Sequence, residues 1–168
     1  MNSTLLYNLA RFILLLAAQV LIFNNINLFG YINPYPYLLF VMLFPVNGNK
    51  YSILIASFLL GYAMGLFTNS GGVHAAACVL LAFLRPYIFR FSFGVSYEYQ
   101  TVKINDVLTP ERFSFIFVSV IVHHFCLFLL EVFSYNSIWD VLLRTLLTTL
   151  FTVITSILII YLIKPSKR

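Results

Sequence analysis

The chain is organised by a succession of apolar runs almost free of charge. The first, Leu5–Phe23, holds a single charged side chain, Arg11. A helix needs roughly 20 consecutive apolar residues to cross a bilayer, and comparable runs follow at Tyr51–Phe67, Val73–Phe91, Phe113–Phe133 and Val141–Ile163. Only 9% of the 168 residues are charged and 61% are hydrophobic, whereas soluble domains carry about 25% charged residues. A chain this short cannot hide that much apolar surface from water, so the solvent is read as lipid. The expectation is one all-α, polytopic membrane domain over 1–168. Leu5–Phe23 ends without a small-x-small cleavage site, so it is read as a retained first span.

Pro34–Val46, "PYPYLLFVMLFPV", is short and flanked by prolines, which suits a short span or a re-entrant segment. The basic residues decide between them. With six crossings and both termini in the cytoplasm, Arg11, Lys50, Arg85, Arg90, Lys103, Arg112, Lys164, Lys167 and Arg168 collect on one side. The opposite loops, Asn24–Asn33, Thr68–Gly72 and Ser134–Asp140, hold no lysine or arginine. This is the positive-inside pattern, and only Arg144 resists it. The spans are therefore placed at about 5–23, 34–46, 51–67, 73–91, 113–133 and 141–163, with a cytoplasmic connector over 92–112. The net charge of +5 reports orientation in the membrane rather than nucleic-acid binding. Cys78 and Cys126 lie in apolar runs and suit neither a disulfide nor a metal site.

Helices in lipid associate through small residues and interhelical hydrogen bonds. Ser57, Gly61 and Gly65 form a four-residue-spaced stripe on the third span, facing either a neighbouring helix or a partner's helix. The turn Asn69–Gly72 and the following His74 and Ala75 extend this packing or partner surface. Ionisable groups within the membrane invite a functional question, and His74, His123, His124, Glu131 and Arg144 are the candidates. Glu131 and Arg144 match in depth and oppose in charge, so they are expected to pair. His124 shares a face with Glu131, while Arg144, Thr148, Thr152 and Ser156 form a polar stripe, together predicting a buried polar seam between the fifth and sixth spans. His74 is expected at the outer membrane surface, neutral because a helix N-terminus disfavours imidazolium. A proton path would need acidic residues at the membrane centre, which are missing. No catalytic, cofactor or metal set stands out, and enzymatic activity is not expected.

The stretch "GLFTNSGGVHAAACVLLAFLRP", Gly65–Pro86, resembles the MreD family, the membrane subunit of the bacterial rod-shape (elongation) complex. The likeness extends to "NLFGYINPYPYLLFVMLFP", Asn27–Pro45, and to length, span number and the basic C-terminal tail. Gly72, His74, Ala75, Arg85 and Pro86 match the family pattern. Gly65 stands where members often carry an aspartate, so no role of that acid carries over. The resemblance implies a fold similar to the substrate-binding subunit of energy-coupling-factor transporters. It also implies a non-enzymatic scaffold in the cytoplasmic (inner) membrane that binds an MreC-like single-span protein. That scaffold would work with a RodA-type glycosyltransferase, its penicillin-binding transpeptidase and the MreB cytoskeleton in lateral peptidoglycan synthesis. The alternative is a vitamin-binding transporter subunit with His124, Glu131 and Arg144 around a central polar cavity.

Overall fold

The computed structural model describes residues 3–30, 32–46, 48–94, 108–132 and 138–163. Five long helices dominate: α1 (Ser3–Leu21), α3 (Lys50–Thr68), α4 (Val73–Phe93), α5 (Pro110–Val132) and α6 (Ile138–Leu162). Each is long and apolar enough to cross a membrane, as a multi-pass membrane protein requires. Among the described residues no strand forms; Leu28 and Ile32 make an isolated bridge.

The run Pro34–Val46 departs from the expected helical span. It holds a 3-10 turn, Pro36–Leu38, followed by a single α-turn, α2 (Leu39–Met42). Prolines at 34 and 36 supply no N–H and resist helix continuation. Among the described residues the segment is nonetheless the most continuously buried: Pro34, Pro36 and every residue from Tyr37 to Met42 are buried. Irregular backbone is tolerated at membrane depth only inside protein, and the other helices supply that enclosure.

Side-chain hydrogen bonds to the segment's backbone show how the enclosure works. Gln19 on α1 donates to the Pro34 carbonyl at 3.0 Å and accepts from the Tyr37 N–H at 3.4 Å. The Tyr35 N–H donates to the Thr152 hydroxyl of α6 at 3.0 Å. At the other end, Arg11 donates to the Leu43 carbonyl at 2.7 Å. Arg85 of α4 donates to the carbonyls of Met42, at 3.2 Å, and Phe44. The last carbonyls of a helical segment lack internal partners, and arginines satisfy them. Because Gln19 holds the beginning and Arg11 the end, the segment runs antiparallel to α1. Phe12 seats α1 edge-on against Phe40, with ring centroids 5.3 Å apart.

Around this thread, α3, α4, α5 and α6 pack in sequential order. The α3–α4 turn depends on left-handed backbone: Asn69 caps α3 at φ 53°, and Gly71 and Gly72 have φ 57° and 92°. Glycine adopts these angles without steric cost. α4 runs through Pro86 to Phe93 and stops at Gly94, where φ is 73°. At that end the Phe89 ring lies tilted against Phe115 of α5, with centroids 4.3 Å apart. The expected connector 92–112 is occupied at its edges by helix, and its middle lies outside the described residues, as does most of Ser134–Asp140.

Candidate functional site

The buried segment delivers one polar group to the centre of the bundle. The Tyr37 hydroxyl lies 2.9 Å from His74 Nδ1 on α4 and 3.1 Å from His123 Nε2 on α5. Cys78 Sγ, one turn after His74, sits 3.8 Å from both the Tyr37 hydroxyl and His123 Nε2. All four side chains are buried. A phenol has one proton to donate and lone pairs to accept with. One histidine nitrogen therefore receives the Tyr37 proton and the other presents its own N–H, which ties the tautomers of two helices together.

A second layer lies beside this hub. The Tyr35 ring packs against His74 and His124, with centroids 5.6 and 5.4 Å away. His124 Nδ1 lies 3.2 Å from the Thr149 hydroxyl of α6. Adjacent histidines on one helix point about 100° apart. Here His123 reaches the central segment and His124 reaches α6, so both are enclosed. The His124 ring stacks on Phe128, and Phe128 lies 5.0 Å beneath the Arg144 guanidinium. Arg144 meets Glu131 at 3.7 Å. A line of polar and aromatic groups thus leads from one end of the bundle to its middle.

These positions redraw the seam expected between the fifth and sixth spans. Glu131 and Arg144 do come together, but their side chains are 50% and 33% exposed, so they form a rim pair rather than a buried one. Residues so close to the helix ends are not enclosed by neighbouring helices. His124 meets Thr149, not Thr148 or Thr152; Thr148 is buried, and Thr152 serves the Tyr35 N–H. His74, at the second position of α4, is enclosed by the bundle. It is 4% exposed, because the buried segment supplies Tyr37 to cover it.

The small-residue stripe faces inward. Ser57, Gly61 and Gly65 are all buried. A Cβ on Gly61 would lie 2.4 Å from the His74 carbonyl oxygen and 2.5 Å from Ala75 Cα, so α3 and α4 touch backbone to backbone there. Gly65 lies beneath the turn, where a Cβ would meet Ser70 Oγ at 3.4 Å. Asn69 is exposed at the turn, and Gly72 half-buried beside it.

Sequence reasoning missed Gln19, Tyr37 and the clamping role of Arg85. A lone glutamine inside an apolar run was the available signal for the first, since polar groups in a membrane segment need a partner. Among the described residues, no group of three His, Cys, Asp or Glu side chains is arranged to hold a metal ion. In the hub, hydrogen bonds join two imidazoles, a phenol and a thiol from three elements.

Long apolar helices around a buried polar hub define a bundle compatible with a multi-pass membrane protein. No family model, curated protein or solved structure matches the chain.

Proposed function

We propose that this protein is an MreD-like, non-enzymatic scaffold of a bacterial cell-shape complex, with six passes through the cytoplasmic membrane. One observation carries the reading. The two stretches that resemble the MreD family, Asn27–Pro45 and Gly65–Pro86, interlock: Tyr37 bonds His74, and Arg85 bonds the carbonyls of Met42 and Phe44. His74, Ala75 and Arg85 each meet a specific structural need there, as a recurring motif would.

The six-pass topology has its own support. The buried segment carries the chain from the Gln19 end of α1 back to the Arg11 end, so α3 starts on the side where α1 starts. Arg11, Lys50 and Arg85 then gather at one end, as the positive-inside rule expects of the cytoplasmic face. The Tyr37 hydroxyl bonds His74 and His123 across three elements, which favours a scaffold over a vitamin-binding subunit.

The seat for an MreC-like transmembrane helix is placed on the outward face of α3. Phe58 and Tyr62 stack at 6.0 Å there, and with Leu66 they form an exposed ridge at four-residue spacing. Purification of the tagged full chain in mild detergent tests the reading. A single-span protein with a large extracytoplasmic part is expected to be retained, and Phe58→Ala with Tyr62→Ala to lower its recovery. Recovery of no such protein, together with thermal stabilisation by one member of a vitamin panel, would overturn it.

A further inference from the structure

We infer that the groove between α1, α2 and α6 is a binding site for one acyl chain of an anionic glycerophospholipid, with Arg11 as the phosphate contact. The groove has a volume of about 310 Å³ and is lined by Ala10, Arg11, Leu14, Leu43, Ile159 and Ile163, among others. Small-molecule sites span about 300–1,000 Å³, so this one accepts part of a single chain rather than a whole lipid. Of these six side chains the five other than Arg11 are apolar.

Charge selects the occupant. Arg11 is half-buried, gives one N–H to the Leu43 carbonyl, and has its guanidinium carbon 4.5 Å from the centre of the Tyr7 ring. A guanidinium has five N–H donors. Among the described residues no carboxylate pairs with it, and the described ion pair, Glu131–Arg144, lies at the opposite end of α6. Ile163, on the groove's rim, is followed directly in the sequence by Lys164-Pro165-Ser166-Lys167-Arg168. The groove therefore opens where the hydrophobic segment of α6 gives way to a basic tail. A lipid phosphate satisfies the cation at the height where the acyl chain can enter the groove. A zwitterionic lipid offers the same chain without the net charge.

Two substitutions separate the chain from the charge. Ala10→Phe fills the exposed groove and leaves Arg11 in place; Arg11→Gln removes the charge and keeps a donor for Leu43. The full-length protein in mild detergent is mixed with dioleoylphosphatidylglycerol or dioleoylphosphatidylcholine, and retained lipid is counted by native mass spectrometry. The wild type is expected to retain phosphatidylglycerol about fivefold better, the fold-change that corresponds to the roughly 1 kcal/mol contributed by a basic residue at an anionic surface. Arg11→Gln should erase that preference, and Ala10→Phe should lower retention of both lipids. Equal retention of the two lipids by the wild type overturns the proposal. So does unchanged phosphatidylglycerol retention in Ala10→Phe, or a lipid-free dimer closed through this face.

Discussion

The helix α1 and the segment Pro34–Val46 are both strongly apolar, lie side by side, and occupy opposite environments. One face of α1 packs on the core and the other is left open; Leu21 is 73% exposed, whereas Leu38 is fully buried. Hydropathy does not separate them. Backbone hydrogen bonding does. An α-helix of 19 residues satisfies its own interior N–H and C=O groups, so it can face lipid. A segment broken by prolines cannot, and each unsatisfied group would cost several kcal/mol in hydrocarbon. The irregular segment must be wrapped, and Gln19, Thr152, Arg11 and Arg85 wrap it. In a bilayer the helix can do without the bundle, and the segment cannot.

The strongest way to break this contrast is to open the enclosure. Gly61→Leu places a side chain where the backbone of His74 and Ala75 already lies, with no flexible neighbour to yield. Overpacking costs about 1–3 kcal/mol and occasionally more; the expected result is loss of a monodisperse peak on size exclusion in detergent. The same substitution made in both regions sharpens the comparison directly. Leu38→Ala should lower the thermal transition clearly, and Leu21→Ala should leave it within error. Lipid tails are as apolar as leucine, so the transfer term cancels, leaving a cavity cost of about 24 cal/mol per Å³ that only the enclosed site pays.

Smaller effects follow from the polar contacts. Tyr37→Phe keeps the ring and deletes the hydroxyl shared by His74 and His123. Membrane hydrogen bonds average about 0.6 kcal/mol with a maximum near 1.7, and this group makes two. A modest fall in thermal stability is expected, with altered imidazole signals in nitrogen NMR reporting the released tautomers. The rim pair should matter least. Exposed ion pairs contribute about 0.2–1 kcal/mol, so exchanging Glu131 and Arg144 is expected to preserve folding, and either single neutralisation to shift the transition only slightly. A collapse of the swapped protein would show that the rim, and not the buried segment, organises this end of the bundle.

Much of the fold was legible in the sequence. The five long helices fall within a few residues of the apolar runs, because a spanning helix is set by local length and hydropathy alone. The Glu131–Arg144 pair was legible too, since depth along adjacent spans and opposite charge bring the two together. The hub was not. His74 and His123 were visible as costly residues, but their common partner was a tyrosine in a run whose structure the pattern left open. Nothing local distinguishes Tyr37 from the other aromatics that crowd this chain.

By itself the sequence determined the solvent this chain is suited to, the positions of its long helices and the tight glycine turn between α3 and α4. These depend on residues close together in the chain. Tertiary structure alone decided that the proline-flanked run becomes the buried axis, that the Ser57–Gly61–Gly65 stripe faces α4, and that Tyr37 joins His74 to His123. Those contacts span 37 and 86 residues, and the Tyr35–Thr152 bond spans 117. Separations of that size carry no periodicity to read. They are favoured because a polar group drawn into an apolar interior costs less when it finds a partner.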